Sequence, residues 1–144
     1  MSSEDKKALV RRFYEAHVKG DLDALRKMMA PDFADRSLRL DQEESDREAY
    51  IRGIAEDRAA FSDTRFTIED QIAEGDKVVT RLTAYGKHEG DLPGAPRTGN
   101  ELKMTSVTIH RIADGKLAEK WSEKDVLGFL QQIGVIPRLG GGKD

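Results

Sequence analysis

Residues 65–90 read RFTIEDQIAEGDKVVTRLTAYGKHEG, and here the spacing of apolar side chains changes from helical to alternating. Phe66, Ile68 and Ile72 fall on one face of an extended chain, because successive strand side chains point to opposite sides. Glu74-Gly75-Asp76-Lys77 supplies a polar turn, and Val78 onward reads as a second strand joined to the first as a hairpin. Beyond it, DLPGAPRTGNE (91–101) is a loop rich in Gly and Pro. LKMTSVTIHRIA (102–113) is the next strand, and Asp114-Gly115 is a strong hairpin signal leading into KLAEKWSE (116–123). The second half of the chain is therefore expected to form an antiparallel meander.

The first half has a helical period. Ser3 to Val18 reads as a helix with Ser3 as N-cap, acidic Glu4 and Asp5 in the first turn, and Leu9, Phe13, Ala16 and His17 on one face. Gly20 suits its left-handed C-cap. Asp21 caps a short second helix carrying Leu22, Leu25, Met28 and Met29, which Pro31 is expected to stop. DFADRSLRLDQEES (32–45) reads as a polar surface loop, and a third helix runs from about Asp46 to Phe61 on Tyr50, Ile54 and Phe61. The chain closes with a short helix, DVLGFLQQIG (125–134), and a tail, 135–144, expected to be disordered. Helices followed by a meander predict one α+β domain over residues 1–134, a cone-like curved antiparallel sheet packed against three N-terminal helices and enclosing a pocket.

Composition narrows the function. The chain has 144 residues, the size of one ordinary domain, with a formal net charge of −3 from 24 basic and 27 acidic side chains. So even a balance gives no electrostatic case for nucleic acid or for an anionic membrane surface. The lack of cysteine excludes disulfides, thiolate catalysis and cysteine-ligated metals. The start, MSSEDKKALVRR, lacks the apolar stretch of a signal peptide, so a cytoplasmic protein is expected. The glycine-containing loop at 91–101 lacks the Gly-Lys-Ser/Thr ending of a phosphate loop, and there is no nucleophile elbow or dinucleotide fingerprint.

Three segments carry a resemblance: VRRFYEAHVKGDLDALRKMMAPDF (10–33), DQIAEGDKVVTRLTAYGKHEGDLPGAPRTGNE (70–101) and HRIADGKLAEKWSEKDVLGFLQQIG (110–134). Together they resemble the SnoaL-like polyketide cyclase and ester cyclase family, of the superfamily that includes nuclear transport factor two, ketosteroid isomerase and limonene epoxide hydrolase. The resemblance covers nearly the whole chain. It implies a pocket between the first helices and the sheet, a small hydrophobic carbonyl-containing substrate, a homodimer formed through the sheets, and no metal or organic cofactor. It also implies an acid/base carboxylate on the last strand, serving an intramolecular aldol closure. Counting back from LGFLQQIG, that position falls on Ser122, which cannot shuttle a proton near neutral pH. A second departure is Arg36, where many relatives carry histidine after the aspartate; a guanidinium stays protonated and is no base.

The catalytic candidates are therefore other carboxylates. Glu119 alternates with Leu117 and Trp121, and reads either as an acid/base on an apolar face or as a solvated edge residue. Asp35 reads as a pocket carboxylate or as a loop acid paired with Arg36. Asp125 reads as a catalytic acid or as the N-cap of the last helix. For substrate binding, Tyr14, His17 and Tyr50 lie on helices, Trp121 reads as a pocket wall, and His110 shares an alternating polar row with Ser106 and Thr108. Asp70 is in period with Phe66 and Ile68 unless a bulge turns it outward. Arg81 could meet an acidic substrate or pair across a dimer, and His88 ends a strand. Three functions fit: cyclisation or isomerisation through an enol(ate), with Glu119 or Asp35 as base; water activation by paired acids, Asp70 and Glu119; or a non-catalytic binding and dimerisation module, which predicts that the inward polar groups do not converge.

Overall fold

The structure is a computed structural model that describes residues 1–37 and 44–138. The first helix, α1 (Ser3–Lys19), begins one residue earlier than the sequence suggests. Ser2 is the cap, and Ser2 and Asp5 form a reciprocal capping box. Gly20 ends α1 at φ 67°, a left-handed turn in which its N–H reaches the carbonyls of Ala16 and His17. α2 (Leu22–Met28) is capped by Asp21.

The chain then departs from the expected loop. Met29–Asp35 is a strand, β1, lying parallel to the last strand. The helix does end before Pro31, at Met28, and the burial of Met29, Ala30 and Phe33 carries the chain directly into a strand. The proline falls where the pairing slips, between the Met29–Leu117 and Ala34–Glu119 partners. A residue without an N–H is tolerated at such an irregularity. The remainder of the expected loop includes residues 38–43, which lie outside the described residues, as do residues 139–144 of the expected tail. The start of that tail is held in place, because the N–H groups of Val135 and Ile136 reach the Leu130 carbonyl.

β2 (Ser45–Asp46) pairs with β1, and α3 (Arg47–Ala60) follows with Asp46 as its cap. Then come β3 (Phe61–Glu74), β4 (Lys77–His88), β5 (Glu101–Ala113), β6 (Lys116–Lys124) and α4 (Val126–Gln132). The sheet order is β2-β1-β6-β5-β4-β3. The expected meander is therefore present as β3 to β6, but the sheet is mixed rather than purely antiparallel, because β1 joins it parallel to β6. The main core lies between the three N-terminal helices and one face of the sheet, with Leu9, Val10, Phe13, Leu25, Ile51 and Ile54 meeting Val78, Leu82, Ile112 and Leu117. α4 packs instead on a smaller cluster around Leu102 and Ile133.

Two slips in register decide which side chains face that core. Between β3 and β4 the pairing passes from Ile68–Leu82 to Asp70–Arg81, leaving Glu69 extra. Between β5 and β6 it passes from Ile112–Leu117 to Arg111–Glu119, leaving Ala118 extra. Each bulge reverses the alternation beyond it.

Candidate active site

Residues directly opposite on neighbouring strands share a face, at a strand spacing of about 4.8 Å. Following the pairing from buried Val78, one rung of the helix-covered face reads Val78, His110, Lys120, Asp35 across β4, β5, β6 and β1. The next rung reads Thr80, Thr108, Ser122. Among these, Asp35 is 4% exposed, Lys120 5% and His110 0%. Three groups that usually seek water are thus brought together behind the helices.

The helices supply the opposite wall. From α1, Phe13 packs edge-on against His110 and His17 at ring-centre distances of 5.5 and 4.7 Å. Tyr14 donates its hydroxyl to Thr108 Oγ1 at 3.2 Å. From α3, Tyr50 stacks on Phe13 and meets Phe33 edge-on. Lys120 Nζ donates to Tyr50 Oη at 2.8 Å and lies 4.7 Å from the centre of the Tyr50 ring. Tyr50 Oη is also 3.3 Å from His17 Nε2, so Lys120, Tyr50 and His17 form a connected line. Asp35 Oδ1 accepts from the Ser37 N–H and hydroxyl at 3.0 and 2.6 Å. Among the described residues, both ring nitrogens of His110 and the Ser122 hydroxyl have no hydrogen-bond partner. Buried polar groups are nearly always satisfied, so an interior that leaves three such atoms open has room in its bonding for a polar ligand.

Electrostatics follow from burial and from Lys120. Burial holds the His110 imidazole well below the ordinary histidine range, and the Lys120 charge pushes it further down. His17 is lowered for the same two reasons, burial first, with His110 and Lys124 adding to the effect. Burial raises the Tyr14 phenol above its usual value, and its bond to Thr108 opposes that only in part. Both histidines are therefore neutral at pH 7, each with a lone pair for a proton or a donor.

Several candidates stand elsewhere. Glu119 is on the outer face, because the Ala118 bulge turns Lys120 and Ser122 inward in place of Glu119 and Trp121. There it is ion-paired with Arg111 and Arg36, whose hydrogen bonds hold its carboxyl below the usual range, so it is not the poised acid that its spacing suggests. Arg36 accordingly pairs with Glu119 and Glu44. Trp121 is half-buried on the outer face opposite Ile109, not a pocket wall. Asp70 is turned outward by the Glu69 bulge and lies opposite exposed Arg81, so neither lines the inner face. The paired acids needed to activate water are thus not assembled from Asp70 and Glu119. Asp125 is exposed and caps α4, its Oδ1 accepting the Gly128 N–H at 3.0 Å. His88 is buried in the smaller cluster beside Phe61, where its Nδ1 meets Thr98 and helps to close the 89–100 loop. Asp35, Tyr14, His17, Tyr50 and His110 do share the inner face, and the residue that sequence reasoning missed is Lys120. Its signal is the adjacent apolar pair Leu117-Ala118, which an alternating strand would not place side by side without a bulge. Among the described residues, no group of three or more His, Asp and Glu side chains could hold a metal ion. No helix among them is long and apolar enough to cross a membrane.

Residues 8–133 match the SnoaL-like polyketide cyclase family. The chain belongs to that family. It is 30% identical over 128 residues to the aklanonic acid methyl ester cyclase DnrD of Streptomyces peucetius, covering 88% of each protein. The solved structure of AclR, a candidate hydroxylase from Streptomyces galilaeus, is similar with a TM-score of 0.86 at 26% identity over 97% of this chain and 91% of that one. IdmH, a candidate polyketide cyclase from Streptomyces antibioticus, is similar with a TM-score of 0.81 at 31% identity, over 90% of this chain and 99% of IdmH. Ser122 lies on the inner face, one rung from Lys120.

His17 and His110 give a testable pH dependence. Their folded pKa values are lowered, so the unfolded chain binds more protons below about pH 6.5. Their stabilising contribution is complete above that value and is lost as the pH falls through it. Urea unfolding is expected to give a lower midpoint at pH 5.5 than at 7.5, and the imidazole NMR signals of His17 and His110 should not titrate between those values in the folded protein. A midpoint near 6.5 for either ring in the folded state would contradict this reading.

Proposed function

We propose that the protein is a cofactor-free acid/base enzyme of carbonyl chemistry, closing a ring in, or isomerising, a hydrophobic polyketide-like substrate through an enolate. The observation that carries this is the inner rung Asp35–Lys120–His110 with Tyr14, His17 and Tyr50 over it. A non-catalytic module would leave its inward polar groups scattered, whereas these converge. Glu119 is tied into its arginine pairs on the outer face, and Asp35 is the carboxylate that the inner rung presents to take the α-proton. Tyr14, His17 and His110 orient the substrate oxygens, and the aromatic wall of Phe13, Phe33 and Phe66 excludes water and holds the reacting carbons close together. Cyclases acting on methyl esters of polyketide acids are among the similar proteins, and such a substrate fits a wall this apolar.

The direct test is turnover of aklanonic acid methyl ester by the purified protein. Asp35→Asn is expected to lower kcat by roughly 100-fold or more, the usual scale for removing a general base. Glu119→Gln and Asp70→Asn should stay within a few-fold of the wild type. Full activity in Asp35→Asn, or loss only in Glu119→Gln, would overturn the assignment.

A cytoplasmic homodimer completes the proposal. On the outer face, Ile72, Val79, Ile109 and Trp121 are successive partners across β3, β4, β5 and β6, and Ile72 is 61% exposed. Asp70, Arg81 and Glu123 border this apolar row with both signs of charge, which suits pairing with a second copy. Sedimentation is expected to give a dimer that Trp121→Glu converts to a monomer. A wild type monomeric at micromolar concentration would contradict it.

A further inference from the structure

An aldol closure needs a proton donor as well as a base, and Ser122 on the inner face is no acid near neutral pH. The atom best placed to donate is the Tyr50 hydroxyl. It faces the inner rung, and Lys120 Nζ, 2.8 Å away, has hydrogens but no lone pair, so it must donate to the phenol oxygen. The phenol hydrogen is then directed away from Lys120, toward His17 Nε2 at 3.3 Å or toward a ligand oxygen in its place. A positive charge donating to an oxygen favours the form in which that oxygen is negative. Phe13 and Phe33 pack against the ring, which fixes where its hydroxyl oxygen stands.

We propose that Tyr50 is the general acid of this site and that Lys120 is its positioning residue, holding the phenol oxygen and stabilising the phenolate left after proton transfer. This rests on the ring-closing reading above. In the step, Asp35 takes the α-proton as the C–H bond breaks. The resulting enolate carbon attacks the second carbonyl, and a C–C bond forms. The oxygen of that carbonyl takes the Tyr50 proton as it becomes an alcohol. The proton held on Asp35 then restores the phenol, so the site ends unchanged and the substrate has only rearranged. Among the described residues, His17 from α1 and Lys120 from β6 meet Tyr50 directly, Asp35 from β1 and His110 from β5 share the rung of Lys120, and Arg47 and Glu48 lie close to Tyr50 in sequence on α3. Of these, Lys120 is the cation in contact with both the hydroxyl and the ring.

Two readouts test the pair, and the first needs no substrate. Tyrosinate absorbance is followed through an alkaline titration of wild type, Tyr50→Phe, Lys120→Met and Lys120→Arg, each checked for folding by circular dichroism. The signal lost in Tyr50→Phe identifies Tyr50. It should titrate at least one pH unit lower in the wild type than in Lys120→Met, with Lys120→Arg restoring most of the difference. A Tyr50 signal at the same pH with and without the Lys120 charge would overturn the proposal. Should Lys120→Met not fold, Lys120→Gln takes its place in the titration, and the second readout stands beside it. The second readout is turnover of aklanonic acid methyl ester, where Tyr50→Phe should lower kcat by about 100-fold with little change in KM. Unchanged kcat in Tyr50→Phe would sink the general-acid role while leaving the ring-closing reading standing. A lowered Tyr50 titration in a protein inactive on this ester would support the pair and reject that substrate.

Discussion

Ala118 has no partner on β5, and the chemistry of the interior depends on that one extra residue. Without it, Glu119 and Trp121 would continue the inward phase set by Leu117. With it, Lys120 and Ser122 do. The parallel strand β1 slips at the same height, between Met29 and Ala34, so both neighbours of β6 adjust together and the inward phase of Asp35 matches that of Lys120. A bulge is costly only where it breaks packing, and here Leu117 and Ala118 are both buried, so the added residue contributes apolar area to the core.

The exchange of Glu119 for Lys120 also sorts the charges. Burying a lone ammonium or a lone carboxylate costs several kcal/mol per ion, and hydrogen bonds meet both charges here, Lys120 donating to Tyr50 and Asp35 accepting from Ser37. Burial first, and then the lysine charge, holds His17 and His110 below the ordinary histidine range. On the far side of the same strand, Glu119 is held ionised by two arginines. One strand therefore presents a cationic site inward and a fixed carboxylate outward. A relay of Lys120, Tyr50 and His17 is possible only because α3 brings Tyr50 over the sheet at this rung.

Much of the fold was legible. Capping residues and helical spacing located α1, α2 and α3 within a residue or two, since those signals act over a single turn. The Asp114-Gly115 and Gly75-Asp76 turns located both hairpins. β1 was not legible, because Pro31 is a stop signal locally and only the tertiary partner, β6, makes Met29–Asp35 a strand. The site was half legible for a related reason. Helical positions such as Tyr14, His17 and Tyr50 keep their phase, and so does His110 on the regular part of β5. Glu119, Trp121 and Asp70 lie beyond bulges, and a bulge reverses the faces of a strand without altering its composition. Asp35 was weighed as a pocket acid without the strand that buries it.

The direct measurement of this account is the facing of β6. The chain has no cysteine, so a single introduced thiol reports its own surroundings. The rate of modification of Ser122→Cys by a thiol reagent is compared with that of Glu123→Cys in the folded protein. The account predicts that Ser122→Cys reacts at least tenfold more slowly than its neighbour and is protected further by aklanonic acid methyl ester. Equal rates, or a faster reaction at Ser122→Cys, would mean that the bulge does not turn this strand as described and that the inner site built on Lys120 does not exist.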